Sequence, residues 1–277
     1  MISGIANILG WVIRLIYNHS NYFISIILFT ILTKLILLPL YISQIKSTEE
    51  MNKVAPMVKK IQEKYKDNKE KQSEELMKIY AEHKVNPVAG CLPALIQIPL
   101  ILSMFYIVKQ PLTYVINMPQ EQIVEYTKTY LGKEEVTEKE VKAYEINVAN
   151  EYDLIDMNVG KYINLGKAPQ DVFNKEESKK AHPIALIVPI LSIVFSIVST
   201  KLAQKNSNMT EEQLEMQKSM NVMMPLLSAS IAYSMPLALG IYWLLGSILG
   251  ILQQLFINKF VKNKDDKDLL GESKGGI

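Results

Sequence analysis

The sequence predicts an all-α integral membrane protein: five transmembrane helices around a hydrophilic groove, with a helical hairpin outside the bilayer. Three observations predict it. Apolar residues make up 49% of the 277, and they gather in runs long enough to cross a bilayer. Strongly polar blocks separate those runs. No Asp or Glu falls inside any of the five runs. A span needs roughly 20 mostly apolar residues, because a helix rises about 1.5 Å per residue through about 30 Å of hydrocarbon.

The first element, residues 2–17, is apolar but short, with Gly4, Asn7, Gly10 and Arg14 interspersed. It reads as an interfacial helix within an N-terminal segment 1–21, with Trp11 and Tyr17 at headgroup level. The segment lacks the basic start and small-residue cleavage site of a signal peptide, and no cysteine is near it, so it is expected to be kept and to carry no lipid anchor. Span one is 22–42, YFISIILFTILTKLILLPLYI. From 43 to 86 the chain is polar. Met51, Val54, Val58, Ile61 and Tyr65 recur at helical spacing, as do Leu76, Ile79 and Tyr80 after a KDNKEKQ break, which predicts an amphipathic helical hairpin.

Span two is 91–108. A long polar segment follows, 109–182. Within it Thr137 and Glu140 have capping-box spacing, and Gly132 is placed to end a helix starting near Pro119. Span three is 183–200, a polar loop covers 201–221, and spans four and five are 222–237 and 239–257. The charged tail is 258–277. Prolines interrupt most spans, at Pro39, Pro93, Pro99, Pro189, Pro225 and Pro236, and each removes a backbone hydrogen bond. Gly246 and Gly250 have GxxxG spacing, a weak signal for close helix packing. Met216, Met220, Met223 and Met224 cluster before span four, where flexible thioethers suit varied apolar surfaces.

Lysines near the span ends set the orientation. The 43–86 hairpin carries ten lysines against eight acids, and the tail five against four. The segment after Lys109 carries nine lysines against thirteen acids. Hairpin and tail are therefore expected in the cytoplasm, with the N-terminus and the acidic segment outside a cell membrane that the chain crosses several times.

Lys34 is the sharpest single feature. A lysine at a helix centre costs about 2.5–3.5 kcal/mol on insertion scales, so such a residue normally faces protein or water and is functional by default. The competing reading is that it snorkels or pairs with a buried acid. Its distance from both ends and the acid-free spans weigh against that. Other polar groups in the spans fit a wet groove: Thr30 one turn before Lys34, Gln97 in span two, and Ser192, Ser196 and Ser199 at i, i+4 and i+7 in span three. Ser228 and Ser234 lie in span four. For any one serine, a hydroxyl bonded back to its own helix is the simpler reading.

The remaining inventory excludes much. One cysteine, Cys91, permits no intrachain disulfide. His19, His83 and His182 are scattered outside the spans, with no metal-ligand spacing. No carboxylate pair, Ser/His/Asp set or phosphate-cradling loop can be assembled within the spans. No segment shows the continuous basic face of a nucleic-acid binder. No catalysed reaction and no cofactor are expected.

Several stretches resemble the YidC membrane-insertase family. NPVAGCLPALIQIPLILSMFY, 86–106, is similar to that family's second conserved span, and TKLILLPLYISQIKSTEEM resembles its first span and the start of its hairpin. IDMNVGK is similar to a motif preceding its third span. MPLLSASIAYSMPLALGIYWLLGSILGILQQ resembles its last two spans, including Pro225, Pro236, Tyr242 and Trp243. The resemblance implies five helices around a groove open to the cytoplasm and lipid and closed outside. A basic residue on the first span lines that groove, and Lys34 takes its place. The family usually has arginine there, so charge is kept while the rigid guanidinium fork is lost. Thr30 and Trp243 match groove positions. Ser199 stands where the family often has glutamine. The outer segment is longer than usual by about 30 residues between Asn117 and Asp153.

The implied function is insertion and folding of membrane proteins without ATP, alone or with the Sec translocon. The implied partners are nascent membrane proteins with acidic flanks, ribosomes, signal recognition particle and the lipid bilayer. Two alternatives stay open: a small anion channel or transporter using Lys34, and a non-catalytic assembly scaffold.

Overall fold

The computed structural model describes residues 2–86, 92–174, 182–204 and 211–260. Cys91, and the side chains of Pro93, Met216 and Met220, lie outside the described residues, as does most of the tail. The chain forms eleven described α-helices and a two-residue antiparallel ladder, a small β element that an all-α reading omits. Two compact units share the helices between them: Met1–Thr33, Leu95–Phe195 and Pro225–Gly246 in one, Lys34–Ala94, Ser196–Met224 and Ser247–Ile277 in the other.

Two helical stretches are long and apolar enough to cross a membrane, Pro183–Leu202 and Leu237–Ile257. A third span is available if α2 (Tyr22–Ile36) and α3 (Leu38–Lys64) count together, bent by 50° at their junction. The junction residue Leu37 has φ −84° and ψ −4°, and Pro39 follows within the first turn of α3, where a missing N–H is tolerated. Gly4–Tyr17 within α1 (Ile2–Tyr17) and Gln97–Lys109 within α5 (Leu92–Lys109) are shorter apolar helices.

The first unit holds the larger core. Tyr22, Ile26 and Phe29 of α2, Met104 and Ile107 of α5, and Ala6 and Ile13 of α1 pack with Ala238, Leu239 and Tyr242. The outward-predicted segment joins the same core through α6 (Pro111–Tyr114), α7 (Gln120–Leu131) and α8 (Glu138–Glu151), using Leu112, Ile123, Val141 and Ile146. Helix α7 ends at Gly132, whose φ of 64° is the left-handed conformation of a helix stop. Helix α8 begins with the expected capping box: Glu140 N–H donates to Thr137 Oγ1, and Thr137 N–H donates to Glu140. IDMNVGK turns through Gly160 into the ladder of β1 (Asn158–Val159) and β2 (Ile163–Asn164).

Just beyond the ladder the chain ties down a membrane helix. The N–H groups of Leu237 and Ala238 open α11 (Leu237–Phe260) and donate to Lys167 O at 2.9 Å and Leu165 O at 3.0 Å. The first turn of any helix leaves such donors without intrahelical partners. Here the segment after the ladder satisfies them, which fixes where α11 starts and hence the positions of Tyr242 and Trp243.

In the second unit α3 packs on α4 (Lys69–Glu82). Val54, Val58 and Val85 form the centre, with Met51, Leu76, Ile79 and Tyr80 around it. Met51, Val54, Val58, Leu76, Ile79 and Tyr80 are among the residues whose spacing predicts the amphipathic faces, whereas Ile61 and Tyr65 are not in this cluster and Val85 joins it from beyond α4. Asn68 caps α4 by accepting from Lys71 N–H at 3.0 Å. Helices α9 (Ile187–Gln204) and α10 (Glu211–Ser234) complete the fold.

Candidate functional site

The sequence-predicted polar residues fall into both units. In the first, Thr30 is buried and its hydroxyl donates to Ile26 O at 2.6 Å. Ser192 is buried and donates to Val188 O at 2.8 Å. Both donors are therefore spent on their own helices, the plainer reading of a hydroxyl in a span. Gln97 and Tyr242 are brought together by a side-chain hydrogen bond linking α5 to α11. Trp243 Nε1 donates to the buried Ser228 Oγ at 3.0 Å, linking α11 to α10. Each of these bonds joins polar groups of two different helices.

In the second unit, Lys34 is half-buried in the last turn of α2 and not at a helix centre as the apolar run suggests, because α2 breaks at Leu37 ahead of Pro39. Among the described residues, no carboxylate or hydrogen-bond acceptor partners its ammonium. Its own carbonyl accepts from Gln253 Nε2 at 2.9 Å. A Cβ built on Gly250 would lie 3.8 Å from Lys34 Nζ. Tyr41 Oη donates to Gln254 Oε1 at 3.0 Å. Ser196 is buried, with its carbonyl accepting from Thr200 Oγ1 at 2.8 Å, and Ser199 is half-buried.

Gly250 and Gln253 thus meet the lysine, and Tyr41 and Gln254 pair with each other, without having been singled out for it. Gly250 reads in the sequence only as half of a weak packing motif. The signal present was a Gln-Gln pair one turn after a glycine in an otherwise apolar run. Nothing local says which helix that face meets.

A further buried group lies in the long polar segment. Glu145 is 1% exposed. Its carboxylate accepts from Thr113 N–H at 2.7 Å and from Thr113 Oγ1 at 2.9 Å, with Leu112 N–H also bonded to it. Burial, the dominant influence, pushes its pKa up to about 7, against the opposing pull of those donors. Glu140 goes the other way: the Lys133 ammonium and the Thr137 bonds hold it down to about 2. No cluster of three or more His, Cys, Asp or Glu side chains suited to a metal ion exists among the described residues.

Among the described residues, the site holds a cation in an apolar helix without an acid partner and polar side chains bonded between helices. Membrane protein insertase YidC of Fusobacterium nucleatum is similar at 29% identity over 240 residues, covering 87% of each chain. Membrane protein insertase YidC 2 of Listeria innocua is 28% identical over 272 residues, covering 96% of this chain and 75% of the relative. Membrane protein insertase YidC of Clostridium perfringens is 28% identical over 255 residues, covering 90% and 83%. The sequence profile of the 60Kd inner membrane protein family matches residues 14–265, nearly the whole chain, and the protein therefore belongs to that family.

Proposed function

We propose that this protein inserts hydrophobic segments of other proteins into the membrane, with Lys34 drawing polar flanks into a hydrated path among five membrane-embedded helices. The observation that carries the reading is the Lys34 ammonium. It sits in an apolar helix with no acid partner among the described residues and with a side-chain-free residue beside it. A cation within an apolar helix of a membrane protein is costly and is functional by default.

The physical account has three steps. A substrate helix with a short acidic flank must carry that flank across a low-dielectric layer. Water reaching partway in from the cytoplasm shortens the dry path, and Lys34 attracts the flank. Opposite charges 4 Å apart gain about 4 kcal/mol at an effective dielectric of about 20, comparable to the insertion cost of one charged residue. The apolar part of the substrate then moves sideways into lipid, and its burial drives the step without a nucleotide. No side chain forms or breaks a covalent bond.

In this reading the α3–α4 hairpin and the tail face the cytoplasm and the 109–182 segment faces outward, following the lysine bias. The hairpin is the surface for ribosomes, signal recognition particle or the Sec translocon. Reconstituted vesicles test the core claim. Lys34→Arg retains insertion of acid-flanked substrates, whereas Lys34→Ala and Lys34→Glu impair it. Equal insertion by all three removes the mechanism.

A further inference from the structure

The structure assigns to Gln253 the positioning of Lys34, and to Gly250 the space that its ammonium occupies against α11. The assignment rests on the reading of Lys34 as the substrate-facing cation.

Helix α2 stops at Ile36, so the carbonyl of Lys34 falls in a last turn whose acceptors lack intrahelical donors. Inside a bilayer no bulk water can replace them, and such groups must be met by neighbouring protein. Gln253 supplies the donor across 2.9 Å from a position 219 residues away in sequence. The adjacent Gln254 accepts from Tyr41 on α3 at 3.0 Å. Helix α11 therefore holds both sides of the 50° junction between α2 and α3. The junction residue Leu37 lies three residues after Lys34, so whatever fixes it also fixes where the lysine stem points.

Gly250 lies three residues before Gln253, on the same helical face. Any side chain there would start 3.8 Å from the ammonium. A methyl is tolerated at that distance, but a branched group extends onto the nitrogen itself. One face of α11 thus does two things for Lys34. It anchors the backbone through an amide, and its missing side chain leaves room for the ammonium.

The test uses the full-length protein in proteoliposomes and a single-span test substrate whose translocated tail carries either aspartate or asparagine. Gln253→Met keeps length and removes the donor. It is expected to slow insertion of the aspartate tail about three- to tenfold, the span of a lost hydrogen bond, and to leave the asparagine tail unchanged. Gln253→His, which keeps an N–H, is expected to retain the preference. Gly250→Val, whose branches reach the nitrogen, is expected to lose the aspartate-tail rate.

In a Lys34→Ala background the Gln253→Met change should add nothing, because there is no cation left to aim. Equal slowing of both tails by Gln253→Met, or full additivity with Lys34→Ala, would mean a purely structural bond and overturns the inference while leaving Lys34 in place. Lys34→Ala inserting the aspartate tail at the native rate removes the underlying reading as well.

Discussion

At the scale of single residues, two charged groups show how differently a site can be paired. Lys34 has no carboxylate partner among the described residues, and the proposed insertion depends on that. Glu145 is closed off, with its acceptor positions taken by Thr113 and Leu112. Burial raises its folded pKa to about 7, above the ordinary 4.5. Between those values the folded protein holds a proton that the unfolded chain gives up, so the contribution of this group to stability falls as pH rises through that window. The amide in Glu145→Gln does not titrate. The melting temperature of the native protein relative to Glu145→Gln is therefore expected to be higher at pH 5.5 than at pH 8, and a pH-independent difference would contradict the burial argument. Glu145→Ala is expected to cost roughly 1–3 kcal/mol by leaving buried N–H groups unpaired.

At the scale of elements, the hairpin shows how little tertiary support a helix pair needs when its faces match. Val54 and Val58 on α3 meet Val85 and the Leu76, Ile79 and Tyr80 face of α4. Val58→Ala removes two buried methyl groups and is expected to destabilise the pair by about 1–2 kcal/mol. Hydrogen exchange should speed up in 50–82 and stay unchanged in α11. Exchange that speeds up equally throughout would show the hairpin is not a separate cooperative element. The helix stop at Gly132 and the box at Thr137 and Glu140 were readable for the same reason: caps involve residues within a turn of each other. The tie from Lys167 and Leu165 to the start of α11 was not, since no periodicity marks a backbone carbonyl that serves a distant helix.

At the scale of the whole molecule, the unevenly placed lysines argue for a single orientation. With Cys91 replaced by serine, Asp67→Cys in the hairpin and Glu135→Cys in the long polar segment give one thiol each. A membrane-impermeant maleimide is expected to label position 135 on intact cells and position 67 only after lysis. The reverse pattern would invert the topology and place the wet end of the path on the wrong side for a cytoplasmic substrate.

The amino-acid sequence by itself determined the apolar runs, the amphipathic hairpin, the local caps and a lysine in a span without an acid. All of these follow from periodicity, composition or contacts within a few residues. The tertiary structure decided which groups meet: Gln253 with the carbonyl of Lys34, Gln97 with Tyr242, Trp243 with Ser228, and Glu145 with Thr113. It also showed the hydroxyls of Thr30 and Ser192 turned onto their own helices. The physical reason is that a polar residue in an apolar helix announces only that it needs a partner. The partner is chosen by which helix faces pack together, and residues more than 200 positions apart, like Lys34 and Gln253, carry no mark of it in their local sequence.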